Sequence, residues 1–342
     1  PYVAQEMKAF LPEADLLSYL EAMLRVYNLH GRRDNLYKAR IKILVNALGV
    51  EEYRRQVEEE WQRVREEGTD LPAEEIERIR AHFVPPNLAA RAPDTAALAK
   101  ARSQDPAFDR WLRHNVSAHK NPDYAIVSIA FKEPGRPPGD VTAEEMERVA
   151  DAADRYSQGE LRVTYTQNLI LPHVARADLI DLYEDLKTAG LVNGSTDLIT
   201  DIIACPGLDY CNLANARSIP IAQAIADRFA DPERAELIGE LRLNISGCIN
   251  ACGHHHSGHI GILGVDKKGT EHYQITLGGS SGDDASVGTI LGPSFAARHV
   301  PGAVESVVET YLAKRKDGET FLATYRRIGA QPFKEALYYD PR

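Results

Sequence analysis

The sequence predicts an α+β protein: a small antiparallel unit and a larger mixed α/β lobe, entered through a run of helices. Two observations carry most of this. Apolar residues at three- and four-residue spacing mark residues 13–30 as an amphipathic helix, with Leu16, Leu17, Leu20, Met23, Leu24 and Tyr27 on one face. Further along, a β-branched run over residues 124–132 opens a β-α-β-β-α order.

Taken in order, the spacing predicts a second helix over 33–48 and a third, charged and largely solvated, over 51–67. Gly68, Thr69, Asp70, Leu71 and Pro72 end it, and a short helix follows over 73–83. Residues 84–100 hold three prolines and many alanines and read as a partly irregular linker. A second unit starts near residue 105. After its first strand, Pro134, Gly135, Pro137, Pro138 and Gly139 form a loop. Thr142, with Glu145 three residues on, is a capping box that opens a helix. Strands over 161–165 and 168–173 and a helix over 178–189 complete the order, which resembles a ferredoxin-like half-unit. The last unit carries helices over 219–229 and 232–240. An alternating strand over 241–245, strands over 259–265 and 272–277, and closing helices over 301–316 and 319–328 follow. No simple short repeat is visible.

Composition narrows the function. The 342 residues are 44% apolar and 26% charged, ordinary for a globular protein. The formal net charge of -10 disfavours a general nucleic-acid partner. No stretch reaches the roughly 18 apolar residues of a membrane helix. No signal peptide is visible, so the expected location is the cytoplasm, where paired thiols are metal ligands more often than disulfides.

All four cysteines fall in two tight pairs, Cys205/Cys211 and Cys248/Cys252, reading C-x5-C, a gap of 36 residues, then C-x3-C. Four soft thiolates from two loops suit an iron–sulfur cluster. Structural zinc favours spacings of two to four residues, which the second pair meets and the first does not. Spacing alone therefore leaves a cluster, zinc, and inert or disulfide-bonded thiols open. Cys248 and Cys252 at i and i+4 are expected on the same side of one helical turn. Gly247, Gly253, Pro206 and Gly207 are expected to let the backbone bend closely around a bulky centre.

The segments ACPGLDYCNLANARSIP and LNISGCINACGHHHSGHIGILGV resemble the cluster-binding signature of the sirohaem-containing sulfite and nitrite reductases. LRVTYTQNLIL resembles that family's strand motif beside the sirohaem. FLPEADLLSYLEAMLRVYNLHGRRDNLYKARIKILVNALG resembles the helical link between the family's two pseudo-repeated halves. Within the family the likeness is greatest to the bacterial assimilatory sulfite reductase haemoproteins, and it covers nearly all of the chain.

The resemblance implies that Cys205, Cys211, Cys248 and Cys252 ligate a 4Fe–4S cluster and that Cys252 also bridges to the sirohaem iron, which makes it the catalytic thiolate. It implies Asn250, Gln167 and Asn168 near the macrocycle. Arg162 and Arg217, close to those motifs, are candidates to meet sirohaem carboxylates, with a surface ion pair as the competing reading. Arg32, Arg33, Arg40 and Lys42 read as a solvated helix face. His254, His255 and His256 are not expected as metal ligands, and His173 is expected to pack. Gly278, Gly279, Gly282, Asp283 and Asp284 read as a loop, and the basic run at 314–316 as a complement to a helix dipole.

The implied organisation is a helical tail of a first sirohaem-binding lobe over 1–67 and a linker over 68–104. A ferredoxin-like half-domain over 105–194 and a 4Fe–4S/sirohaem lobe over 195–342 complete it. The implied activity is six-electron reduction of sulfite to sulfide in assimilatory sulfur metabolism. Nitrite reduction to ammonia, or an isolated cluster-bearing electron-transfer module, stand as alternatives. The implied partners are sulfite or nitrite and a ferredoxin or flavoprotein donor. The missing N-terminal half of the same enzyme is implied as well, since the chain starts at Pro1 and lacks the first half's substrate-binding basic residues.

Overall fold

The computed structural model describes residues 1–68 and 71–338. Thr69 and Asp70, read as part of a helix end, and residues 339–342 of the expected last lobe lie outside the described residues. The chain divides into two compact units, Pro1–Asn87 and Leu88–Arg342.

The first unit is helical. Its helices are α1 (Leu16–His30), α2 (Ile41–Leu48), α3 (Val50–Glu67) and α4 (Ala73–Arg80). The helix expected from residue 33 starts at 41, because Arg40 is extended and Asn35 turns its side chain back onto Tyr37 N–H. Nor is α3 merely solvated. Tyr53, Val57, Trp61 and Val64 form a buried stripe at helical spacing, packed with Tyr19, Ala22 and Val26 of α1. Trp61 Nε1 donates to Ser18 Oγ at 3.0 Å, and its ring meets Tyr19 edge-on.

The second unit begins with α5 (Thr95–Gln104), within the stretch read as linker, where Asp94 accepts Ala97 N–H as its N-cap. Next come α6 (Pro106–Asn115), β1 (Val116–Ala118) and β2 (Tyr124–Ile129). Of these, α6 and β1 went unpredicted. The capping box at Thr142 and Glu145 is present and opens α7 (Ala143–Tyr156). β3 (Arg162–Val163), β4 (Leu169–Ala175) and α8 (Leu179–Thr188) follow. The four strands form one antiparallel sheet in the order β1-β2-β4-β3. Its core holds Phe108 and Trp111 of α6, Val149 of α7 and Leu182 of α8 against Val127, Ile129 and Leu171. This is the expected ferredoxin-like arrangement, with α6 and β1 added.

Beyond it lie β5 (Ile203–Ala204), α9 (Ile219–Arg228), α10 (Pro232–Ile238) and β6 (Leu243–Ser246). Then come β7 (Ile260–Lys267), β8 (Thr270–Leu277), β9 (Thr289–Ile290) and β10 (Phe295–Ala296). The chain closes with α11 (Val300–Lys314), α12 (Phe321–Ile328) and α13 (Gln331–Tyr338). The sheet runs β10-β8-β7-β6-β5, with β9 also on β8. β5, β6 and β7 are parallel, while β8 turns back antiparallel. β6 is buried at every position instead of alternating, as a strand between two parallel neighbours must be. α9 and α11 pack together over this core through Ile225, Val304 and Val308.

Trp61→Ala should lower the chain's stability by about 3–5 kcal/mol, read as a shifted midpoint in urea unfolding. Thr142→Ala removes the N-cap of α7 and should lower stability by about 1 kcal/mol, read from the thermal midpoint with far-ultraviolet dichroism otherwise unchanged.

Candidate metal centre

Both cysteine loops leave neighbouring parallel strands at their carboxyl ends. Ile203 pairs with Asn244 and Ala204 with Ile245, so Cys205 and the Gly247–Cys248 bend emerge side by side. Backbone bonds then fasten one loop to the other. Cys205 N–H donates to Ile245 O at 3.1 Å, and Asn215 and Ala216 N–H both donate to Gly247 O, at 2.9 and 3.0 Å. In the first loop Cys211 N–H donates to Gly207 O at 2.8 Å.

Glycine is required where these backbones touch. A Cβ on Gly247 would sit 2.5 Å from Ala216 O, and one on Gly253 would sit 1.9 Å from Ile245 O. Gly247 N–H donates to Cys205 Sγ at 3.0 Å, and Ser218 Oγ lies 3.3 Å from the same sulfur. An N–H aimed at sulfur is the donor that a metal-bound thiolate accepts.

The second loop departs from the expected helical turn. Ala251 and His254 take left-handed backbone, with φ of 58° and 54°. Ala251 N–H closes on Cys248 O, and His254 N–H closes on Ala251 O. Cys248 is consequently buried while Cys252 is exposed, so the two do not share one helical side. All four cysteines are free thiols. Among the described residues no three His, Cys, Asp or Glu side chains gather around one metal position. The fit to a cluster therefore rests on the joined loops, the N–H on Cys205 and a donor set made only of thiols.

Cys252 lines a cleft of about 470 Å³ together with Tyr165, Thr166, Asp197, Asp201, Arg242, Asn244 and His254. Large apolar side chains stand exposed on the cysteine loops and the neighbouring hairpin: Tyr210, Leu213, Ile249, Val163 and Tyr165. Such a skirt beside thiols and amides suits a flat macrocycle.

The other predicted residues fall into two groups. Asn250 is exposed on the second loop. Arg162 is exposed and paired with Glu160 at 2.5 Å, and Arg217 lies 3.7 Å from both Asp209 and Glu271. Gln167 and Asn168 turn inward. Gln167 sits at φ 62° in the turn between β3 and β4. Its side chain grips Ala204 from both sides, Nε2 donating to Ala204 O at 2.8 Å and Oε1 accepting Ala204 N–H at 3.0 Å. Asn168 is buried and donates to Asp201 Oδ1 at 3.0 Å, while its own Oδ1 has no partner.

Sequence reasoning missed Lys132 and Asp201. Lys132 Nζ is buried and donates to Ile202 O at 2.6 Å and to Gln167 Oε1 at 3.4 Å. Burial pushes its amine down to about 8, partly offset by Asp201. Burial likewise pushes the Asp201 carboxyl up, against the pull of Lys132, Asn168 and the Asp197 N–H. A lone lysine closing an apolar strand gives no sequence signal of burial.

His255 is buried with an unpartnered Nδ1, and burial brings it down to about 4. His173 is buried but more than packing: it bonds His119 at 3.3 Å and Glu160 at 3.1 Å.

Residues 1–64 and 195–340 match the nitrite and sulphite reductase 4Fe–4S domain, and residues 134–189 match the nitrite/sulfite reductase ferredoxin-like half domain. The chain is 26% identical over 354 residues to the assimilatory ferredoxin-dependent nitrite reductase of Haloferax mediterranei, covering 100% of this chain and 54% of that one. It is 24% identical over 331 residues to sulfite reductase (ferredoxin) 1 of Mycolicibacterium paratuberculosis, covering 94% and 53%. The solved structure of the Mycobacterium tuberculosis NirA protein shares the fold, with a TM-score of 0.69 at 24% identity, covering 97% of this chain and 56% of that one. The chain thus spans about half the length of the relatives it matches. No helix among the described residues is long and apolar enough to cross a membrane. The reductases of this family carry a 4Fe–4S cluster and sirohaem, the cofactors that the motifs implied. Joined thiol loops, the ferredoxin-like sheet and the matched segments lead to one assignment: the chain belongs to the nitrite and sulphite reductase 4Fe–4S domain family.

Proposed function

We propose that this chain is the cluster- and sirohaem-holding part of a reductase that reduces sulfite to sulfide. The observation that carries the reading is the fastening of the two cysteine loops through Gly247, whose N–H meets Cys205 Sγ and whose carbonyl takes Asn215 and Ala216 N–H. That fastening brings two distant, cysteine-bearing stretches of sequence together at the carboxyl ends of neighbouring parallel strands. When bound, the cofactors supply one-electron steps at an iron that an oxyanion can occupy.

This chain's own residues then have separate tasks. Cys205, Cys211, Cys248 and Cys252 would hold the cluster, and Cys252, exposed in the cleft, would be the thiol placed to pass electrons on toward a sirohaem. Tyr210, Leu213 and Ile249 cover apolar macrocycle surface. Asn250 and Arg162 are exposed to solvent and can meet its carboxylates, Arg162 by leaving its ion pair with Glu160. Gln167 and Asn168 act from beneath, by holding β5 and Asp201.

Nitrite is the second reading, favoured by relatives named as ferredoxin-dependent nitrite reductases. Those names also suggest a ferredoxin as donor. The cytoplasm remains the proposed location.

Anaerobic reconstitution of the chain should yield iron and acid-labile sulfide in equal amounts and, with sirohaem added, a shifted haem spectrum. Zinc bound in their place, or no metal at all, would refute the assignment. Turnover of the whole enzyme with each anion should favour sulfite; a preference for nitrite selects the second reading. Gly253→Ala forces a methyl onto Ile245 O. It should cost most of the cluster iron, measured by colorimetric iron analysis against the unaltered chain.

A further inference from the structure

We propose that Lys132, with Asp201, is a buried proton-holding pair that, in alkaline solution, takes up one proton when the cluster gains an electron. This rests on the cluster reading given above and adds to it a role for two residues outside the cysteine motifs.

The geometry is that of a shared enclosure. Lys132 reaches across from the end of the ferredoxin-like strand and donates to Ile202 O at 2.6 Å. Ile202 stands three residues before Cys205, a distance of about 10 Å along extended chain. Asp201 lines the same cleft as Cys252. Both side chains are buried, and neither touches a cysteine-loop thiol. A charge added at the thiols is therefore felt through low-dielectric protein.

The groups facing the pair are few. Lys132 faces Asp201, the backbone carbonyl of Ile202 and the side-chain amide oxygen of Gln167. Asp201 faces Lys132, Asn168 and Asp197, and Asp197 is itself paired with Arg242 at 3.2 Å. Across the cleft stand His254 and Cys252. Lys132 is the one group among these whose amine is brought down to about 8.

The step balances simply. One electron enters from a low-potential one-electron donor, one proton enters from water, and no bond in the substrate breaks. The added negative charge raises the amine's affinity for its proton. Below about pH 8 Lys132 carries its proton before and after reduction. Above that pH the oxidised form has lost it and the reduced form regains it, so the midpoint potential falls as pH rises.

Redox titration of the cluster-loaded full chain, monitored by electron paramagnetic resonance across pH 6–10, tests this. The expected profile is flat at low pH and falls beyond a break near 8. Lys132→Met should lower the potential and abolish the break. Lys132→Arg, always charged, should restore the potential without the break. Asp201→Asn removes the carboxylate that supports the amine's charge and should move the break to lower pH. A flat profile in the unaltered chain overturns the proposal, as does a break that survives Lys132→Met. Should Lys132→Met fail to take up a cluster, the unaltered chain and Asp201→Asn decide. A chain that takes up no cluster at all overturns both this proposal and the reading it rests on, whereas a loaded chain with a flat profile overturns this one alone.

Discussion

The centre of this molecule depends on two parallel strands ending at the same level. β5 has only two residues, and it pairs with β6 through Ile203 and Ala204. Each strand then releases a cysteine loop into the same space. Parallel pairing places consecutive carboxyl ends together, which an antiparallel pair would send to opposite edges. The glycines follow from that constraint: Gly247 and Gly253 lie where one backbone crosses another at a distance that excludes a Cβ.

Much of this was legible in the sequence, for identifiable reasons. Residues with strong local rules declared themselves: Thr142 with Glu145, the β-branched run through Val127, and the cysteine pairs. What failed did so where tertiary contacts overrode local pattern. α3 reads as solvated because Glu and Arg dominate it. Yet Tyr53, Val57, Trp61 and Val64 sit at the spacing that α1 needs. Residues 95–104 form a helix in a stretch whose prolines suggested irregularity, because Asp94 caps it past the last of them. The i, i+4 spacing of Cys248 and Cys252 suggested a helical turn, and only left-handed Ala251 reveals that the chain reverses there.

At the site, sequence motifs located the thiols but not what holds them. Gln167 was expected from its motif alone, and the structure adds that its side chain pairs with the backbone of Ala204. Holding a non-glycine residue at positive φ costs of order 1 kcal/mol or more. The cost is offset by two hydrogen bonds that only this turn can direct at β5. Lys132 and Asp201 are separated by 69 positions in the sequence and meet only because the two sheets abut. No linear pattern encodes that proximity.

The amide of Gln167 has a consequence beyond the centre. β5 is the outermost strand of its sheet, and a bare outer strand invites a stranger's backbone to add to it. Here a single glutamine mimics the missing neighbour, presenting one donor and one acceptor in the pattern another strand would offer. The smaller sheet thus acts as a seal on the larger one. The same contact sets the register of the strand that delivers Cys205, so protection against misassembly and placement of that thiol share one side chain.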